Sequence, residues 1–208
     1  MTFWPQLRRL LSALVLTCAV FWSPAEAVAQ FRFSTVVIDP GHGGKDPGAL
    51  RGQRVEKHLA LDVAKRLETA LRAKGLKTFM TRRTDVFVDL DQRAALANRF
   101  SNAVFVSIHF NTDPQKVKKG AEMHYHSDKG LVLARALDRT FDQSVQMGCR
   151  ALMERSRLVV LRETNMPAVM VECGYLTHAG NAWLCGTADH RQDIANAIVA
   201  GLLAVRKK

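Results

Sequence analysis

Cysteine is scarce in this chain and poorly spaced for chemistry. Four occur in 208 residues, at positions 18, 149, 173 and 185. No two stand at Cys-x-x-Cys spacing, which excludes the common thiolate zinc sites. Cys18 falls in an N-terminal leader, so the odd set left behind is not a disulfide framework. Cys149 and Cys185 could pair in an oxidising compartment if the fold brought them together, while Cys173, directly after an apolar run, reads as a small packed hydrophobe. Gly-x-Gly-x-x-Gly is also absent, which argues against a phosphate-cradling loop. Acidic residues are outnumbered, 19 against 30 Lys and Arg, for a net charge of +11. That balance suits a polyanionic partner, or a basic surface kept for solubility. No Pro/Ser/Gly-rich linker, repeat or low-complexity tract interrupts residues 31–208, so one compact domain is expected.

The first 29 residues have the plan of a secretory signal. Arg8 and Arg9 supply a positive start, and Leu10 to Trp22 is apolar but short for a membrane span. Ser23-Pro24 breaks that run, and small residues follow, with cleavage expected after Ala27 or Ala29. An uncleaved anchor is the alternative. Residues 1–29 are read as a signal peptide and 30–208 as the mature domain, exported to the periplasm or cell envelope without an integral span. Export removes nucleic acid as the polyanion and leaves cell-wall polymers or outer-membrane lipid.

What is present is a succession of strand and helix patterns. Val36 to Ile38, Val104 to Ile108 and Ala168 to Val171 are near-continuous apolar runs, the signature of strands buried on both faces. Leu59, Val63, Leu67 and Leu71 mark a helix over about 56–73, ended by Gly75. A strand is expected over 76–81, a short helix over 90–100, a weaker strand over 122–125 and a helix over 129–146. Leu158 to Leu161 reads as a short strand, and Ile194, Ile198, Leu202 and Val205 as a C-terminal helix. The alternation predicts an α/β single domain with a central, mostly parallel or mixed twisted sheet flanked by helices.

Each of the three buried runs leads to a residue that can bind a metal or move a proton. The first enters Asp39-Pro40-Gly41-His42-Gly43-Gly44, the second ends on His109 and the third on Glu172. Functional crevices in such sheets lie beyond the carboxyl ends of the strands. Glu56 opens the first helix at that same edge. Taken singly, His42 could be a loop histidine, Glu56 a helix-terminal carboxylate and Glu172 a buried partner of Arg162. Together, His42, Glu56 and His109 leave a tetrahedral zinc one open position, as catalytic zinc requires, and Glu172 is the expected general base. His124 and His126 are the next candidates for that base.

These segments resemble the zinc-dependent N-acetylmuramoyl-L-alanine amidases of the Amidase_3 family. The likeness runs from about Thr35 to Val205 through Val37-Ile38-Asp39-Pro40-Gly41-His42-Gly43-Gly44-Lys45-Asp46-Pro47-Gly48-Ala49, Glu56-Lys57, Thr81-Arg82 and Thr84-Asp85. It continues through Leu90, Arg93, Ala97-Asn98, Phe105 to Asn111, Val160-Leu161-Arg162, Met166-Pro167-Ala168 and Val171 to Leu176. The resemblance implies Zn2+ on His42, Glu56 and His109, with Glu172 as catalytic base. It also implies hydrolysis of the amide between N-acetylmuramic acid and L-alanine in peptidoglycan, in cell-wall remodelling or daughter-cell separation. Ala60 and His178 depart from the family's usual asparagines, and Arg150-Ala151 stands for its Arg-Gly pair. Some relatives insert a helix over the zinc between the His109 and Glu172 segments; the elements expected there leave no room for one. No separate wall-binding module is recognised, which makes the Lys116, Lys118 and Lys119 loop a candidate wall contact beside its reading as a solvated turn. The sequence identifies no activating partner. The rival readings are a zinc peptidase cutting within the stem peptide and a non-catalytic wall-binding protein.

Overall fold

The computed structural model describes residues 30–207; the expected signal peptide lies outside the described residues. The elements run β1 (Thr35–Pro40), β2 (Leu50–Arg51), β3 (Arg54–Val55), α1 (Glu56–Ala73), β4 (Lys77–Met80), α2 (Leu90–Ala97) and β5 (Ala103–Asn111). They continue as β6 (Ala121–Tyr125), α3 (Asp128–Ser144), β7 (Cys149–Glu154), α4 (Val159–Arg162), β8 (Ala168–Tyr175), α5 (Ala179–Cys185) and α6 (Ala188–Val205). A six-stranded sheet has the order β4-β1-β5-β8-β6-β7, and β2 and β3 form a small antiparallel ribbon. Within the large sheet only β6 against β8 is antiparallel. The expected mixed α/β architecture is therefore present.

Side chains alternate across the strands and divide the core in two. Val36, Ile38, Val104, Val106, Ile108, Val169 and Val171 enter a thick layer with the apolar faces of α1, α3 and α6. Val37, Phe105, Ala168 and Met170 enter a thinner one with Ala97 of α2 and Val160 and Leu161 of α4. Continuing the alternation along β1, β5 and β8 puts Asp39, Ser107, His109 and Glu172 on the thin side, at the carboxyl ends of the strands. The position of the site thus follows from strand periodicity.

Three expectations are corrected. Leu158 to Leu161 is not a strand: α4 occupies Val159–Arg162 and turns Val160 and Leu161 onto the sheet. A four-residue apolar run carries no period long enough to separate strand from helix. The edge strand β7 was not anticipated, because its residues alternate between half-buried and exposed and include Arg150 and Glu154. The C-terminal helix begins earlier than its apolar stripe, at Ala188, and α5 precedes it. Cys149, Cys173 and Cys185 are all free thiols, and burial pushes Cys185 up to about 12.

Candidate metal centre

The loop after β1 is fastened from beneath before any functional group is placed. Asp39, fully buried, accepts hydrogen bonds from Thr81 Oγ1 at 2.6 Å and Arg93 Nη1 at 2.8 Å on Oδ1, and from Ser107 Oγ at 2.8 Å on Oδ2. Arg93 also donates to the carbonyls of Pro40 and His42, each at 2.7 Å. Arg82 donates to the carbonyls of Pro40, Gly41 and Lys57 at 2.9, 2.6 and 2.8 Å. Burial, with the neighbouring Arg93 charge, lowers Arg82 to about 10. A side chain that leaves such a network strands buried charges, which typically costs about 3–5 kcal/mol. The sequence pattern contained these residues but gave them no role.

That clamp holds His42 in the left-handed region, at φ 59°, a conformation that costs a non-glycine residue about 1–3 kcal/mol and persists only when its surroundings impose it. The surrounding glycines are steric requirements. A Cβ on Gly41 would lie 2.3 Å from the His109 ring, and one on Gly48 (φ +65°) 2.5 Å from Glu56 Oε2.

Glu56, His42 and His109 converge as expected, with donor atoms within 4.8 Å of one another. Glu56 Oε1 lies 3.0 Å from His42 Nε2, 3.0 Å from His109 Nδ1 and 2.9 Å from the Phe110 amide that donates to it. Glu56 Oε2 accepts the Ala49 amide at 2.7 Å. The two rings meet edge to face, 4.8 Å between centroids. Burial opposes ionisation of Glu56, but His109 and His42 outweigh it and hold its carboxyl well below the usual range. Glu56 does not cap its own helix; its side chain serves the loop and the imidazoles.

The donor chemistry fits a divalent cation. Asp46 Oδ2 lies 2.7 Å from His42 Nδ1, and the Gly48 amide donates to Asp46 Oδ1 at 3.1 Å. Burial raises the Asp46 pKa, yet its bond to His42 outweighs this, so it is an ionised acceptor and Nδ1 carries the proton. Nε2 then faces a second carboxylate at 3.0 Å, a contact that requires either a second proton or a cation. Without a metal it is the proton: burial lowers His42, but Glu56 and then Asp46 raise it to about 8. A carboxylate that fixes the tautomer of a ligating histidine is the usual outer support of a metal site.

Glu172 lies opposite His109 in the β5/β8 register. The residue is part-exposed, but its Oε2 is shielded from solvent and has no hydrogen-bond partner among the described residues. Burial raises its pKa, and the expected partner Arg162 instead pairs with Glu163 at 2.7 Å. On the other side of Glu172, across β6/β8, stands Glu122. Glu122 accepts from Arg150 Nη1 at 2.6 Å, Tyr175 OH at 2.5 Å and Asn111 Nδ2 at 3.2 Å, and lies 3.0 Å from His124 Nε2. Burial raises it, but His124, Tyr175 and Arg150 bring it down to about 2. His124 therefore serves Glu122. The Lys116–Lys119 loop folds back on Asp113, whose Oδ2 accepts the Val117 and Lys118 amides at 3.0 Å.

A cleft of about 410 Å³ opens from His42 and His109 towards α2 and α4. Phe87, Val88, Leu90, Leu158, Val159, Val160 and Met170 give it apolar walls.

Fold and site together define an α/β domain with a histidine–glutamate–histidine donor set at the carboxyl edge of its sheet. The chain belongs to the N-acetylmuramoyl-L-alanine amidase family, which residues 36–204 match. It is 33% identical over 171 residues to a probable cell wall amidase, LytH, of Staphylococcus epidermidis, covering 81% of this chain and 57% of that protein. It is 32% identical over 182 residues to YqiI of Bacillus subtilis, covering 86% and 87%. Among solved structures, the catalytic domain of CwlV, an N-acetylmuramoyl-L-alanine amidase from Bacillus (Paenibacillus) polymyxa var. colistinus, superimposes with TM-score 0.79 at 32% identity. That match covers 84% of this chain and all of the CwlV domain. An N-acetylmuramoyl-L-alanine amidase from Clostridium difficile 630 gives 0.78 at 36% identity, over 83% and 96%.

Proposed function

We propose that this chain is a zinc-dependent N-acetylmuramoyl-L-alanine amidase that hydrolyses the amide between N-acetylmuramic acid and L-alanine in peptidoglycan. His42 Nε2, His109 Nδ1 and Glu56 would hold the metal. Bound zinc supplies Lewis acidity, polarising a carbonyl and making water acidic enough to attack near neutral pH. The chain's own groups do the rest. Asp46 keeps the His42 proton on Nδ1 and so directs Nε2 inward. Arg82 and Arg93 hold the loop that carries His42 and so preserve the ligand geometry. Glu172 Oε2 accepts the proton of the attacking water and passes it to the leaving amine of L-alanine.

The observation that carries this reading is the pairing of two unlike carboxylates at one strand edge. Glu56 is bound to both imidazoles, and Glu172, opposite His109, keeps a dry oxygen with no partner. A zinc peptidase would use similar chemistry, but the family match favours the amidase; a pure binding module has no use for an unpartnered buried carboxylate. Digestion of purified peptidoglycan with and without a chelator tests it. Release of intact stem peptides, abolished by chelation and restored by zinc, is expected; shortened peptides still attached to glycan would identify a peptidase instead.

The matrix of action follows from the leader. We read residues 1–29 as a signal peptide, residues 30–208 as the mature enzyme and the periplasm or cell envelope as its place of work. The described residues contain no helix long and apolar enough to cross a membrane. N-terminal sequencing of envelope protein should give Val28 or Gln30; a Met1 start would support an anchored form. The CwlD amidase of Clostridioides difficile has been solved in complex with the GerS lipoprotein, which makes a lipoprotein a partner class to seek here.

A further inference from the structure

The cleft beside the metal centre has one uncompensated charge. Four of its lining residues bear formal charges: Asp39, Asp46, Arg93 and Arg157. Asp39 and Arg93 neutralise each other at 2.8 Å, and Asp46 is engaged with His42 at 2.7 Å. Arg157, exposed on the turn between β7 and α4, makes no hydrogen bond or ion pair among the described residues. Every other part of the wall except His42 and His109 is apolar, and Leu90 and Phe87 are 55% and 44% exposed.

We propose that this cleft is the stem-peptide subsite and that Arg157 selects substrates with a free carboxylate on the residue after L-alanine. This rests on the amidase reading and extends it to the side of the scissile bond that the cleft accepts. The two sides of that bond differ in chemistry. The muramoyl side presents hydroxyl, acetamido and ether groups without charge, and a polyhydroxyl sugar needs polar partners that these walls do not supply. The peptide side presents the alanine methyl followed by an acidic residue. Phe87, Val88, Leu90 and Val159 suit the methyl and the adjoining aliphatic chain, and Arg157 is a planar donor matched to a carboxylate. Its partnerless state in the free protein means that no existing ion pair must be broken on binding.

The test uses two muramoyl dipeptides that differ only in a carboxylate or a carboxamide at the second residue, with the zinc-loaded full chain. The wild type should favour the carboxylate roughly 1.5- to fivefold, through KM, as expected for one solvent-facing ion pair. The preference should shrink as salt is raised. Arg157→Gln should raise KM for the carboxylate substrate only, leave kcat unchanged and leave the circular dichroism spectrum intact. Equal losses on both substrates would place an uncharged part of the substrate against Arg157 and overturn the proposal, as would a wild type indifferent to the carboxylate. Calorimetric titration with the same two compounds separates the levels of argument. If neither is cleaved, the amidase reading fails. An Arg157-dependent preference for binding the carboxylate would still support the subsite, and its absence would refute it.

Discussion

Glu122 and Glu172 stand opposite each other on adjacent strands, yet the fold treats them in opposite ways. Glu122 is saturated: Arg150, Tyr175 and Asn111 donate to it, His124 packs at 3.0 Å, and the carboxyl sits at about 2. Glu172 has a shielded oxygen that nothing satisfies, and burial moves it the other way. A buried carboxylate surrounded by donors is fixed in charge and in place, and contributes to the fold. One denied donors has its proton affinity raised by burial, which lets it take a proton from water and hand it on, and contributes to chemistry. Residue type and strand position are the same; only the neighbours decide.

The contrast can be broken from either side. The largest effect should come from Glu172→Gln, which keeps the shape and removes the proton acceptor. Turnover of peptidoglycan should fall by about 10²–10⁴ with the melting temperature unchanged, the usual contribution of a general base. Near-normal turnover would move the base elsewhere, with His126 the next candidate. Glu122→Ala should act on stability instead, because it strands Arg150, His124 and Tyr175 around an empty position. A loss of about 3–5 kcal/mol by denaturant titration is expected; a loss below about 1 kcal/mol would show that the cluster is not structural. Asp46→Ala probes the support of the metal ligands and should weaken zinc binding about 10- to 100-fold by competition with a chelating dye. Unaltered affinity would mean that His42 is oriented without it.

The smallest effect is on acid stability. Glu122 is lowered to about 2 in the folded protein, against an ordinary value of about 4.3. Its folded pKa is depressed, so its contribution is present above about pH 4 and is lost as pH falls towards 2. Glu122→Gln should flatten that part of the acid-unfolding curve; an unchanged curve would assign the acid sensitivity to other carboxylates.

Much of this was legible in the chain because buried parallel strands announce themselves as unbroken apolar runs, and the candidate site residues sit where those runs end. His42, His109 and Glu172 were found in that way, and Glu56 by its place at the head of the first helix. What stayed hidden depends on contacts without a period. Arg82 and Arg93 act through backbone carbonyls of the β1 loop, and no spacing rule links them to Asp39. Glu122 was visible only as part of a weak strand, and its partners come from β5, β6, β7 and β8. The α4 segment misled because four apolar residues satisfy both periods, and β7 escaped because an edge strand is only half-buried.

The most direct test of the division between ligand and base is the zinc content of two variants prepared in parallel, Glu56→Ala and Glu172→Gln, by mass spectrometry of metals on folded protein. Glu56→Ala should lose the metal, while Glu172→Gln should retain one zinc per chain and remain inactive. Zinc retained by Glu56→Ala, or lost from Glu172→Gln, would contradict the assignment of the first carboxylate to the metal and the second to the proton.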